Sequence, residues 1–262
     1  MKDILESLKK LRNDPTEVGI FSDLDGTLCR IYEVPADAVI TPEVKQILKS
    51  LTEKYALTCI VTGRDSDDAR QIVGLDKIIY VGNHGLEWIE NGKQHYALQA
   101  IDYLSIMEEL GKRLLEVNNK DELTVEVKKL GVALHYRQAK NKQKMKDLLK
   151  EMLKGIVSKY PLKILEGRCV IELRPDLEIN KGEAVKNIAL RKGLKKVIYL
   201  GDDVTDVDVF KSLRKLRKEK HLETMSIGVA SNEAHPLVIH ESDFTVGDVR
   251  DVAYLLGTLA NP

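Results

Sequence analysis

Residues 18–26 read VGIFSDLDG. The stretch starts as an unbroken apolar run and ends in two aspartates and a glycine. A strand covered on both faces has this form, because neither face tolerates polarity until the chain leaves the sheet. Runs of the same kind recur as ALTCIVTGR (56–64), IIYVGNHG (78–85), KVIYLGDD (196–203) and SIGVASN (226–232), with DFTV (243–246) as a further candidate. Helical patterns lie between several of them, as in TPEVKQILKSLTEKY (41–55) and KGEAVKNIALRKG (181–193). Amphipathic helices are also expected over residues 1–12 and in DVRDVAYLLGTLA near the end. Apolar strands alternating with helices predict an α/β fold: a doubly wound, mainly parallel, Rossmann-like sheet.

The middle of the chain follows another pattern. Residues 99–117 and 141–159 each read as a helix. Two strand-like segments follow each: TVEVKK (124–129) and GVALHYR (131–137), then LKILEGR (162–168) and CVIELRP (169–175). A helix-strand-strand unit occurring twice predicts one small sheet covered by two helices. The expected division is a core of residues 1–98 and 179–262 with an inserted α+β cap domain of residues 99–178.

In open α/β sheets, ligands bind beyond the carboxyl ends of the strands. Here those ends carry Asp23 and Asp25, then Thr62, Gly63 and Arg64, then Asn83 and His84, then Asp202 and Asp203. Asp23 and Asp25 are two apart on an extended segment, so both carboxylates can face one site. Adjacent carboxylates repel and need a cation or a shared proton. Asp202, Asp203 and Asp206 add acid at another strand end. An oxygen-rich cluster without cysteine or histidine at ligand spacing suits magnesium. An aspartate-glycine turn or a solvated loop would explain either segment singly, but not both at strand ends with the other motifs between them.

Composition removes other classes. Lysine plus arginine and aspartate plus glutamate each number 41, so no excess charge recruits nucleic acid or an acidic membrane surface. Aromatic residues make up 5% of the chain, too few for a base-stacking platform. No apolar run approaches the roughly 18 residues a membrane span needs. The first residues, MKDILESLKKLRND, carry charges throughout and lack the apolar stretch of a signal peptide. Cys29, Cys59 and Cys169 have no metal-site spacing and read as reduced thiols of a cytoplasmic protein.

DLDGTL after the first core strand, Thr62 after the second, Lys181 after the insertion and GDD at a later strand resemble the four motifs of haloacid-dehalogenase-like phosphatases. The resemblance spans roughly residues 18–232. It implies that Asp23 attacks phosphorus and that Asp25 is the acid and base. Thr62 would donate to a phosphoryl oxygen, and Lys181 would offset charge on the phosphate and on Asp23. Magnesium would be held by Asp23, the backbone carbonyl of Asp25 and Asp202, with Asp203 in or beside the coordination shell. These residue types suit phosphoryl transfer, which depends on positioning and charge stabilisation.

The flanking segments TGR, GNHG, VEVKKLGVALHYR, EGRCVIELRP, NKG and GDDVTDVDVF are similar to those of the trehalose-6-phosphate phosphatase family. This implies hydrolysis of trehalose 6-phosphate in trehalose biosynthesis, with a possible functional pairing to trehalose-6-phosphate synthase. By motif position, Glu126, Lys128 and Glu172 would read the sugar that carries no phosphate. Alternation in TVEVK puts Glu126 and Lys128 on one strand face, where a salt-bridged surface is the alternative. Gly63, Arg64, Asn83, His84 and Arg137 complete the expected substrate contacts. Arg64 could instead pair with a nearby aspartate, His84 could cap a loop, and His135 and Tyr136 read as structural. Three departures from the family pattern stand out: Leu24 for an aromatic residue, Gly131 for serine and Val207 for glutamate. They leave open a phosphatase of another sugar phosphate, such as a glucosyl- or mannosyl-glycerate phosphate. A catalytically silent sugar-phosphate sensor is the remaining reading, against which Asp23, Asp25, Lys181 and Asp202 stand intact.

Overall fold

The structure is a computed structural model. It describes residues 1–32, 34–119, 121–167, 169–231 and 234–261. Arg168 and Asn232, the last residues of two expected strand segments, lie outside the described residues. In chain order the main elements are α1 (Lys2–Leu11), β1 (Val18–Ser22), α2 (Pro42–Lys54), β2 (Leu57–Val61), α3 (Ser66–Val73), β3 (Ile79–Gly82), β4 (Glu87–Glu90) and β5 (Lys93–Tyr96). There follow α4 (Tyr103–Leu115), β6 (Thr124–Lys128), β7 (Gly131–His135), α5 (Lys142–Val157), β8 (Leu162–Gly167) and β9 (Val170–Pro175). The chain then runs through α6 (Lys181–Arg191), β10 (Lys196–Gly201), α7 (Val207–Lys218), β11 (Glu223–Val229), α8 (Pro236–Glu241), β12 (Phe244–Val246) and α9 (Val249–Ala260).

These elements fall into two compact units, Met1–His95 with Ile179–Pro262, and Tyr96–Glu178. The larger unit is built on an eight-stranded sheet in the order β12-β11-β10-β1-β2-β3-β4-β5. The pairs from β12 through β3 are all parallel, and β4 runs antiparallel to β3. Every residue of β1, β2 and β3 is buried, as an unbroken apolar run requires. One face packs on α1, α2, α3 and α9 through Leu8, Leu48, Val73 and Leu255, and the other on α6, α7 and α8 through Val185, Phe210 and Val238. Strand order reverses at β1, with β10 on one side and β2 on the other, so β1 ends at the crevice where such sheets bind ligands.

The strands β4 and β5 were not expected from the sequence. Their segments EWIE and KQHY are polar, and β5 is only half-buried to exposed, so neither shows an apolar run.

The smaller unit carries an antiparallel sheet in the order β6-β7-β9-β8. Its core joins Met107 and Leu110 of α4 and Leu149 and Leu153 of α5 to Val132, Leu134, Ile171 and Leu173 of the sheet. Among the described residues no helix is long and apolar enough to cross a membrane.

Candidate active site

The loop after β1 is fixed to the sheet by its first residue, whose N–H donates to Leu200 O at 2.8 Å. Leu24, between the two acids, is fully buried in the core, and its carbonyl closes the loop by accepting from Leu28 N at 2.9 Å and Cys29 N at 3.0 Å. Gly26 has φ +80°, and a Cβ there would stand 2.0 Å from Asp202 Oδ2. Glycine is therefore required on two grounds, the left-handed backbone and the close approach of a carboxylate. Thr27 Oγ1 donates to Asp202 Oδ1 at 2.9 Å, joining the loops after β1 and β10.

Behind Asp23 stands Lys181 at the start of α6, whose N-terminus is capped by Asn180 accepting from Glu183 N. Lys181 Nζ is 2.9 Å from Asp23 Oδ1 and 2.7 Å from Asp206 Oδ1. Asp206 also accepts from Tyr199 Oη at 2.6 Å, Asp202 N at 3.0 Å and Asp203 N at 2.9 Å. Each of its oxygens thus takes two donors. Burial works to discharge Lys181, but Asp206 and Asp23 together raise its pKa and keep it an ammonium.

Asp23, Asp202 and Asp206 offer carboxylate oxygens within 4.8 Å of one another. Burial, opposed by Lys181 and reinforced by Asp206 and Asp202, pushes the Asp23 pKa well up. Burial and then Asp206 push Asp202 up to about 7. Three buried carboxyls share the single Lys181 ammonium, and an all-oxygen set of hard donors suits a hard divalent cation. Because Asp206 is saturated by its donors, Asp23 and Asp202 are the carboxylates with capacity for such an ion. Asp203 is exposed, and Thr205 Oγ1 donates to its carboxylate at 3.2 Å.

Asp25 faces Arg64. The guanidinium donates through Nε at 2.6 Å and Nη2 at 2.8 Å, a two-pronged grip, and its Nη1 reaches Asp68 at 2.7 Å. Thr62 is buried at the end of β2, and its Oγ1 accepts from Arg64 N at 3.2 Å. That bond leaves the hydroxyl proton to donate elsewhere. Gly63 lies under the His84 imidazole: a Cβ on it would be 2.5 Å from Nε2. Asn83 and His84 both adopt left-handed backbone, φ 47° and 55°, which is rare outside glycine and clusters at functional sites. The turn is braced from below. Asn83 Nδ2 donates to Asp65 at 2.6 Å and to the fully buried Glu87 at 3.0 Å, while Glu87 also accepts from Ser66 N at 2.8 Å.

In the smaller unit, Glu126, Ala133, Glu172 and Leu165 pair across the sheet as one row. Lys128 pairs with Gly131 next to it. Lys128 Nζ donates to Glu172 Oε1 at 2.9 Å, and His135 Nε2 lies 2.8 Å from Glu126 Oε2. Arg174 Nη1 stands 3.9 Å from Glu172. Glu126, Lys128 and Glu172 thus share one charged face, and the small residues Ala133 and Gly131 sit between the charges. Arg137 lies past the end of β7 and is exposed.

The trehalose-phosphatase family model matches residues 21–237. The chain belongs to the trehalose-phosphatase family. It is 34% identical over 214 residues to "Probable trehalose-phosphate phosphatase D" of Arabidopsis thaliana, covering 76% of this chain and 57% of that protein. It is 33% identical over 216 residues to "Trehalose-phosphate phosphatase B" of the same plant, covering 76% and 56%. The chain therefore spans a little over half the length of these curated relatives. Among solved structures, the C-terminal domain of the Candida albicans trehalose-6-phosphate phosphatase superposes with a TM-score of 0.77 at 23% identity, covering 98% of this chain and 96% of that one. At that identity the likeness speaks for the fold, which is of the haloacid-dehalogenase-like type.

For this trehalose-phosphatase family member, sequence reasoning left Thr27 and Glu87 outside the expected site and counted Asp206 among the strand-end acids without giving it a role. Thr27 and Glu87 touch site residues through hydrogen bonds that no local pattern announces. Asp206 did leave a signal, standing three residues after Asp203 where a short helix begins, the spacing of a capping box. Val207, where glutamate is frequent, is buried in the core at the start of α7. A Cβ on Gly131 would find ordinary contacts of 3.4 Å or more, so packing does not exclude the more usual serine.

Proposed function

We propose that this protein hydrolyses trehalose 6-phosphate to trehalose and phosphate through a phosphoryl group carried on Asp23. The observation that carries the reading is a buried aspartate held by a buried lysine at the crevice of the sheet. A carboxylate so placed is a fixed nucleophile, and the ammonium beside it offsets charge on an incoming phosphate. An Asp23 oxygen forms a bond to phosphorus as the bond from phosphorus to the sugar oxygen breaks. Asp25 gives that oxygen its proton, then takes a proton from the water that attacks phosphorus and restores Asp23. To act as an acid Asp25 must be released from Arg64, and an arriving phosphate dianion competes for that guanidinium. Thr62 donates its hydroxyl to a phosphoryl oxygen. Glu126, Lys128 and Glu172 recognise the sugar hydroxyls, for which charged acceptors and donors are suited.

Asp23 and Asp202, with the Asp25 carbonyl and Asp203 beside them, would hold magnesium. Bound there, the ion supplies positive charge to the carboxylates and the phosphate. Free cysteines, two of them buried, fit a reducing cytoplasm.

The test is phosphate release from a panel of trehalose 6-phosphate, glucose 6-phosphate, glucosylglycerate phosphate and an aryl phosphate, with magnesium and with chelator. The expected result is a clear preference for trehalose 6-phosphate and no turnover once the metal is chelated. A preference for another sugar phosphate would replace the substrate, and full activity in chelator would remove the metal.

A further inference from the structure

Tyr199 lies at the centre of β10, in register with Phe21 of β1 and Ser226 of β11. Its ring is fully buried and stands edge-on to Phe210, with centroids 6.0 Å apart. The ring belongs to a buried apolar cluster that also holds Phe21, Val197, Phe210 and Leu213. A phenylalanine would fill the same space, so packing explains the ring and leaves the hydroxyl unexplained. That hydroxyl reaches Asp206 Oδ1 at 2.6 Å, the same oxygen that takes the Lys181 ammonium at 2.7 Å. Lys181 in turn holds Asp23 at 2.9 Å. Tyr199, Asp206 and Lys181 are each 2% exposed or less, so solvent does not supply an alternative partner to any of them.

We propose that Tyr199 is a positioning residue for phosphoryl transfer: its hydroxyl pins Asp206, and Asp206 pins Lys181 against the nucleophile. This rests on the phosphatase reading given above. The chain of contacts is built for direction. Backbone donors from Asp202 and Asp203 fix one oxygen of Asp206, and Tyr199 fixes the other. The carboxylate cannot then swing, and the ammonium has one place to stand. Without the hydroxyl, Asp206 Oδ1 keeps Lys181 alone and the carboxylate gains freedom to turn. An ammonium displaced by even a fraction of an ångström serves a transition state less well than a ground state, because the charge it must meet develops only during transfer.

The test is Tyr199→Phe in the full chain, with p-nitrophenyl phosphate as substrate so that sugar recognition plays no part. The expected result is a fall in kcat of about tenfold with KM unchanged, the signature of an interaction made in the transition state. On an Asp206→Asn background the same substitution should have little further effect, because the two act as one unit. Proton–nitrogen spectra of side-chain ammonium groups supply a readout without turnover: the Lys181 signal should move in Tyr199→Phe. Unchanged kcat, an unmoved Lys181 signal, or a loss that adds fully to that of Asp206→Asn would each overturn the proposal. If the wild type hydrolyses the aryl phosphate and ignores trehalose 6-phosphate, the substrate reading fails while this test stands. If it hydrolyses neither, the phosphatase reading fails, and the Lys181 signal alone decides the positioning role.

Discussion

Asp202 shows how a single side chain records the need for a cation. It is 9% exposed, accepts a hydrogen bond from Thr27 and faces Asp206. Burial is the largest cause of its raised pKa, Asp206 the next, and together they bring it to about 7. A carboxyl with a higher pKa folded than unfolded favours folding at low pH. That contribution is complete below the unfolded value of about 4 and is lost as pH rises through about 7. In chelator, wild-type Tm should therefore fall relative to Asp202→Asn between about pH 4 and pH 7, by roughly 2–4 °C or more. Magnesium should reverse the trend, since it binds the ionised carboxyl. A Tm difference independent of pH would mean that Asp202 is neither desolvated nor repelled as described. Arg64 teaches a related lesson, because its two-pronged grip on Asp25 makes a single residue a partner of the acid and a candidate contact for phosphate.

At the level of elements, β6, β7 and β9 turn sequence alternation into a charged face. Glu126 and Glu172 stand in one cross-strand row with Ala133 between them. Lys128 and His135 bridge the two glutamates to neighbouring rows. Glu126→Ala and Glu172→Ala should each lower kcat/KM on trehalose 6-phosphate by roughly 10- to 150-fold, the range of a charge-assisted hydrogen bond. Hydrolysis of a small aryl phosphate, which has no second sugar, should barely change. Equal losses on both substrates would assign the row to folding, and no loss on either would leave it a solvated salt-bridged surface. Alternation in TVEVK was enough to put Glu126 and Lys128 on one side of β6. It was silent on their partners, because Lys128 meets Glu172 through a register between strands 44 residues apart in sequence.

Over the whole molecule, the parallel core was readable because strands buried on both faces are written mainly as apolar runs, as β1, β2, β3 and β10 are, whereas β11 (ETMSIGV) shows the pattern only in its second half. The acids after β1 and β10 could be read for the same reason: they are the first charged residues after each run. The strand β4 escaped because two of its buried positions are the glutamates Glu87 and Glu90, and β5 because an edge half open to water carries charge and shows no run. Asp203 and Asp206 looked alike as acids in GDDVTD, yet one is exposed and the other fully buried under its donors. Spacing alone does not tell inward from outward at the mouth of a loop. Glu87 escaped because a buried carboxylate bracing a left-handed turn has no local pattern. These features converge on Asp23, and the most direct measurement is phosphate release from trehalose 6-phosphate by Asp23→Asn beside wild type, with magnesium present. Asparagine keeps the shape and removes the attacking charge. Monoester hydrolysis demands about 20 kcal/mol or more of catalysis, which no neighbouring group replaces once the nucleophile is gone. The expected result is a folded variant without measurable turnover; a homogeneous Asp23→Asn protein that kept more than about a few per cent of wild-type activity would contradict nucleophilic attack by Asp23.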